Sequence, residues 1–410
     1  MAYVPRGKDW NHISATNDGW ALFLGHMGER PAAVTCLDKD SSSVPKMDNR
    51  RLDVDALKAL GALLVVAYHC GVVSLVGAAA DSYPLLYLRS FFAICVPAFF
   101  LATGLLYSGR DFPVGKGLRK AAKLFALTLI WGGVTWIIVA GEKGLAVSPG
   151  TWISGVLTLQ QGVVNHLWFL PALAIVCLLL PFFSSLQRHD PRLFSVLVVG
   201  CLVFVFGCDA LSRLADLAGW VIDSQALGKL AAFVNRFNPL HGIHGHSIAY
   251  CLVGMWLSGR EERLEERCPR VSSLLPWAGI LAGPLLLAAY SAARVRLTGE
   301  PYDPTWNGYS FVGTFVAVAG IYLILHRVLS GVGSTLSMGK IISLVGRNSL
   351  AVYLFHWPLT GLVRGLLPDP SLWFVRLAVG LLICAALALL CSIAGELLSK
   401  TKAGRWLLSA

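Results

Sequence analysis

The sequence predicts an all-α polytopic membrane protein with about ten transmembrane helices and both termini cytoplasmic. Three observations lead there. Of 410 residues, 56% are hydrophobic and only 14% charged, against about 25% charged in soluble domains. The apolar residues fall into runs near the roughly 20 residues needed to cross about 30 Å of hydrocarbon. The basic residues sit in alternate loops between those runs, as the positive-inside rule requires.

The runs cover about 56–78, 86–108, 120–140, 165–184, 193–209, 240–258, 272–291, 309–328, 346–366 and 372–398. The 193–209 run is marginal, and 151–164 reads as an interfacial or re-entrant piece. Residues 1–50 are polar and without periodicity, so they read as a disordered extension; Met47, just before NRRLDVDALK, is an alternative start to Met1. The transmembrane domain is expected over 51–400, with 401–410 a short cytoplasmic tail. Loops 141–164 and 210–239 are too short to fold alone.

With the N-terminus inside, the inner loops carry Arg110, Lys116, Arg119, Lys120 and Lys123, then Arg260, Arg263, Arg267 and Arg270. The outer loops hold scattered cations such as Arg89 and Lys143. The net charge of +11 is therefore topological and not a nucleic-acid face. Ten cysteines without a CxxC pair, most of them inside apolar runs, read as small buried hydrophobes. Walker, GxSxG and HExxH motifs are missing.

The first run carries the most telling pattern. At 100° per residue, Asp55, Lys58, Ala62, Val65 and His69 fall on one stripe. Ionisable groups inside a bilayer are costly and mark function. From an entry near Ala56, His69 lies roughly 20 Å in, slightly past the midplane, at 1.5 Å per residue. That depth separates it from the cytoplasmic pair Asp55 and Lys58. Arg89 opens the second run from the outside, and Pro97 loosens that helix near mid-bilayer.

His166 and Trp168 start the fourth run, where a tryptophan is also expected of an interfacial belt. In the ninth, Ser349, Tyr353, His356 and Thr360 share a face that must meet protein or water. In HGIHGH at 241–246, His241 and His244 share a face but His246 does not, and no cysteine or carboxylate is close. No metal is expected there. The 109–123 cluster suits a phosphate-rich ligand such as coenzyme A. Glu261, Glu262, Glu265 and Glu266 alternate with arginines as a solvated face would.

DALKALGALLVVAYH at 55–69, VPAFFLATGLLY at 96–107, HLWFLPALAIVCLLLP at 166–181 and NSLAVYLFHWPL at 348–359 occur in this order. The chain thereby resembles acyltransferase family 3, integral membrane enzymes that O-acetylate sugars of bacterial surface polysaccharides. It is similar to the stand-alone members that lack an esterase-like domain. Lys58 stands where many members have Arg, and Thr103-Gly104 where Ser-Gly is usual. Lysine keeps the charge but loses the bidentate fork.

The resemblance implies a multi-pass protein of the bacterial cytoplasmic membrane. It would move an acyl group, most often acetyl, from cytoplasmic acyl-CoA to a sugar hydroxyl of a glycan or its lipid-linked precursor. His69 would act as general base or acyl relay, with Arg89 stabilising the oxyanion and His356 beside them. Asp55, Lys58, Arg119, Lys120 and Lys123 would hold the CoA, and His166, Trp168 and Tyr353 would line the cavity. The partners are then the acceptor glycan and the lipid bilayer, with no nucleic acid. The competing class is a transporter or flippase for a glycolipid or small anion, with His69, Arg89 and His356 as a binding or proton path.

Overall fold

The computed structural model describes residues 51–74, 82–142, 144, 148–159, 163–261, 266, 269–329 and 337–408. The segment 1–50, the alternative start at Met47, and Glu262 and Glu265 lie outside the described residues. All regular structure among the described residues is helical. In chain order the helices are α1 (Leu52–His69), α2 (Tyr83–Tyr107), α3 (Val114–Glu142), α4 (Pro149–Leu157), α5 (Asn165–His189) and α6 (Pro191–Val221). They continue with α7 (Gln225–Phe237), α8 (Ile243–Leu257), α9 (Pro269–Thr298), α10 (Pro304–Asn307), α11 (Val312–Leu329) and α12 (Ser337–Arg347). Last come α13 (Ser349–Phe355), α14 (Thr360–Leu366), α15 (Trp373–Leu398) and α16 (Lys402–Leu408).

Each of the ten apolar runs contains helix among the described residues. Seven of the described helices are long and apolar enough to cross a membrane: α2, α3, α5, α6, α9, α11 and α15. The other three expected spans fall short for separate reasons. α1 carries Asp53, Asp55 and Lys58, α8 has only 15 residues, and the ninth run breaks between α13 and α14. The 193–209 run, marginal by hydropathy, lies inside a helix of 31 residues. It is started by the Asp190 carboxylate accepting from the Leu193 amide at 2.9 Å, and it passes through a π turn at Val203–Gly207. The expected loop 210–239 is largely helical too. α7 folds back on the end of α6, with Asn235 Nδ2 donating to Ser212 Oγ at 2.8 Å.

The core is built around α1 and α2. α1 packs against α2, α11, α12 and α15, and α2 against α8 and α9. The α2–α8 contact is backbone to backbone. A Cβ on Gly104 would lie 1.9 Å from the Cys251 carbonyl oxygen, and one on Gly254 2.2 Å from that of Leu101. Small residues allow this approach where lipid gives helices no hydrophobic drive to associate. The outward faces are apolar, with Leu382 at 72% and Leu390 at 64% exposure on α15. Cys95, Cys177, Cys251, Cys384 and Cys391 are free and buried.

Of the acidic face expected of 259–270, Glu266 is exposed as expected, while Glu261 joins a polar network at the start of α1. Glu261 is buried and accepts from Tyr322 OH at 2.5 Å and from Arg51 Nη2 at 3.3 Å. Arg51 Nη2 also donates to Asp53 Oδ2 at 2.8 Å, and His326 Nδ1 lies 2.8 Å from the same oxygen. The charges are thus shared between the start of α1, α11 and the segment after α8. A helical charge pattern gives no sign that one carboxylate of the run turns inward.

Gly104→Ala is expected to cost about 1–3 kcal/mol through overpacking. The check is the apparent melting temperature in detergent, and a value equal to that of the unaltered protein would contradict the close α2–α8 contact.

Candidate active site

His69 is the last residue of α1. The first run was expected to stay helical to about 78, but the chain turns off at Gly71, whose φ of +72° favours glycine. The Val72 amide donates to Ala67 O and the Gly71 amide to Tyr68 O, both at 3.1 Å. That pair of bonds is a Schellman ending. Two arginines complete it: Arg364 Nη2 donates to His69 O at 2.7 Å, and Arg376 Nε and Nη2 to Gly71 O at 3.3 and 3.1 Å. The histidine ring therefore projects from a fixed helix end.

His356 sits where the ninth run breaks. Pro358 follows two residues on, and Trp357–Leu359 forms a single 3-10 turn. His356 is fully buried, and its Nδ1 lies 3.0 Å from the Val352 carbonyl oxygen. A carbonyl only accepts, so Nδ1 carries the proton and Nε2 of the neutral ring keeps the lone pair. His166 lies in the 3-10 turn Asn165–Trp168 that opens α5. Its carbonyl accepts from Tyr353 OH, and its ring stacks on Trp357 at 4.0 Å between centroids.

The three imidazoles form one cluster. Ring centroids are 5.4 Å apart for His69 and His356, 6.4 Å for His69 and His166, and 6.3 Å for His166 and His356. Trp357 touches His69 as well, at 4.9 Å. Neither ring nitrogen of His166, nor Nε2 of His356, has a hydrogen-bond partner among the described residues. Buried polar atoms normally find partners, and of these two residues His166 lines a cavity.

His69 and His166 line a cavity of about 310 Å³ together with Arg89, Trp168, Tyr353 and Arg364. Arg89 is anchored: its Nε and Nη2 donate to the two oxygens of Asp303 at 3.3 and 2.9 Å, and Nη1 donates to Val73 O at 3.1 Å. Tyr68 OH donates to Asp303 Oδ2 at 2.7 Å, and the guanidinium lies 4.2 Å from the centre of the Tyr68 ring. Aromatic rings cover the far wall, with Trp168 against Trp306 at 5.4 Å and Tyr309 at 5.7 Å. His246 of the HGIHGH stretch is buried against Trp168 and Tyr309, while His241 and His244 are exposed. No cluster of metal-ligand type occurs among the described residues.

A second cavity opens at the other end of α1. It is lined by Lys58, Lys120, Arg347, Thr103, Ser349 and Leu408, among others. Phe169 and Tyr353 belong to both cavities, their rings 5.4 Å apart. The other cations expected here point elsewhere. Arg119 is exposed, with Nε donating to Gly115 O at 3.1 Å, and Lys123 faces the Trp406 ring at 5.8 Å. Asp55 is buried against α12, where Ser343 Oγ donates to it at 3.2 Å, and it pairs with Lys58 at 3.7 Å.

Of the residues singled out in the sequence, His69, Arg89, His166, Trp168, Tyr353 and His356 are brought together, and Lys58 and Lys120 share the second cavity. Asp303, Tyr68, Trp357, Arg347 and Arg364 escaped sequence reasoning. Asp-Pro at 303–304 does read as a helix start, and Asp303 Oδ1 accepts from the Thr305 amide at 2.9 Å. Its pairing with Arg89, 214 residues away, has no local signature.

The profile of an acyltransferase domain family, acyltransferase family 3, matches residues 51–396. The chain belongs to that family of membrane acyltransferases. No curated protein and no solved structure matches it.

Replacing Asp303 by Ala leaves the half-buried Arg89 without its carboxylate, at an expected cost of about 1.5–3 kcal/mol. Tyr68→Phe removes one neighbouring hydrogen bond and should cost about 1 kcal/mol. Melting temperatures in detergent check this order, and equal losses for the two variants would count against Asp303 as the anchor of Arg89.

Proposed function

We propose that this acyltransferase is an O-acyltransferase of the bacterial cytoplasmic membrane. It takes an acyl group, most often acetyl, from cytoplasmic acyl-CoA. The acceptor is a sugar hydroxyl on a surface or exported polysaccharide or its lipid-linked precursor. The observation that carries the reading is the pair of cavities that share Phe169 and Tyr353, one lined by Lys58, Lys120 and Arg347 and the other by His69 and His166.

The donor fits the cationic cavity. Lys58, Lys120 and Arg347 come from three different helices and, with Lys58 also paired to Asp55 and Arg347 to Glu396 at 3.1 Å, offer charge to the phosphates of coenzyme A. This end of α1 is the cytoplasmic one by the positive-inside rule. Beyond the cations the walls turn apolar with Phe99, Leu106 and Leu173, which suits a pantetheine arm running towards the histidines. The acceptor fits the histidine cavity, whose Trp168, Trp306 and Tyr309 offer flat faces to a sugar ring.

A sugar hydroxyl is a weak nucleophile at neutral pH and needs a base. His69 takes its proton as the oxygen bonds to the thioester carbonyl carbon. Collapse of the tetrahedral intermediate breaks the C–S bond, and the imidazolium returns the proton to the leaving thiolate. His356, its Nδ1 held by Val352 O, keeps an Nε2 lone pair within the same cluster and supports proton movement around His69. Arg89 and Arg364 supply positive charge for the oxyanion. The alternative order, in which His69 carries the acyl group before the sugar attacks, uses the same residues.

His69→Ala in purified, reconstituted protein is expected to lower acyl transfer by about 10²–10⁴-fold with the melting temperature retained; full transfer would overturn the assignment. Mass spectrometry of surface glycans from cells with and without the protein should differ by one acyl group. Identical glycans would contradict the acceptor class.

A further inference from the structure

We propose that Phe169 and Tyr353 form a partition that sets the length of the acyl chain this protein accepts, making Phe169 a specificity-determining residue for short-chain donors. The inference rests on the acyl-CoA reading above and adds to it the chain-length class of the donor.

The two cavities share these two side chains, so any group passing from the cationic mouth towards His69 meets them. The partition is built asymmetrically. Tyr353 is tethered, because its hydroxyl donates to the His166 carbonyl. Phe169 has no polar tether and packs against the rings of Tyr353 at 5.4 Å, Phe100 at 5.0 Å and Phe99 at 5.6 Å. It is 7% exposed and follows directly on the 3-10 turn that carries His166. Phe169 is thus the part of the wall that decides how far the channel reaches.

The approach to the partition has a largely apolar wall. The donor-side cavity holds about 170 Å³, and besides its cations it is lined by Phe99, Ala102, Leu106, Leu173 and Cys177. Thr103 adds little polarity, since its hydroxyl donates to the Phe99 carbonyl at 2.8 Å within its own helix. Apolar walls favour each added methylene by roughly 0.8 kcal/mol, about fourfold in binding. A donor-side slot without a floor would therefore bind longer chains more tightly. The Phe169 ring, which lines both cavities, supplies the floor that a chain longer than two carbons meets.

The test is binding of S-ethyl-, S-butyl- and S-hexyl-CoA thioethers, which cannot transfer, to the purified full-length protein by titration calorimetry. Wild type is expected to bind S-ethyl-CoA at least 10-fold more tightly than S-hexyl-CoA. Phe169→Ala should shift that ratio by at least 10-fold towards S-hexyl-CoA, and Phe169→Leu, a milder change that preserves packing, by an intermediate amount with its gain at S-butyl-CoA. Wild type binding that tightens steadily with chain length, or a ratio unmoved in both variants, overturns the partition while leaving the donor assignment standing. Failure of wild type to bind any of the three thioethers overturns the donor assignment itself, and the partition with it.

Discussion

A backbone carbonyl left unsatisfied inside a bilayer is costly, and irregular backbone there survives only where protein or a cavity surrounds it. Four departures from regular α-helix encircle the histidine cavity: the end of α1 at Gly71, the 3-10 turn Phe92–Ile94 in α2, the turn Asn165–Trp168 opening α5, and the break after Phe355. Each comes with a side-chain donor to a nearby carbonyl. Arg364 and Arg376 serve the end of α1, and Thr305 Oγ1 donates to Arg89 O at 2.6 Å beside the turn in α2. Tyr353 OH serves His166 O, and His356 Nδ1 serves Val352 O. Two of these donors, Arg364 and Tyr353, also line the cavity.

This arrangement ties chemistry to packing. His356 holds a backbone carbonyl with one nitrogen and presents the other to the cluster, so its tautomer follows from the helix break. Tyr353 holds the first turn of α5 with its hydroxyl while its ring forms half of the wall between the cavities. Arg89 is fixed by Asp303 and by Val73 O and retains its place in the cavity lining. The buried Arg51–Asp53–Glu261 network at the opposite end of α1 is a different kind of feature. Buried ion pairs are weak contributors to net stability, and this one joins the start of α1 to α11 and to the segment after α8.

The membrane class and the ten helical runs were legible because hydropathy reports burial in lipid directly. The gathering of His69, His166 and His356 was legible in part, since each stands out as a costly polar group in an apolar run. What failed was whatever depends on a neighbour. Periodicity put Asp55 on the stripe with Lys58 and His69, yet Asp55 turns to Ser343 on α12 while Lys58 reaches the cavity. Arg119 and Lys123 share a cluster with Lys120, but only Lys120 of the three lines that cavity. The end of α1 was misplaced because Gly71 inside an apolar run reads as a tolerated small residue, and its left-handed φ appears only in the fold.

The central claim is that donor and histidine cluster meet through one channel along α1. The most direct measurement is a cryo-electron microscopy structure of the protein with S-ethyl-CoA. The account predicts nucleotide phosphates beside Lys58, Lys120 and Arg347, with the ethyl group between Thr103 and Tyr353, pointing at His69. Nucleotide density in the Arg89 cavity, or on a surface away from α1, would contradict it.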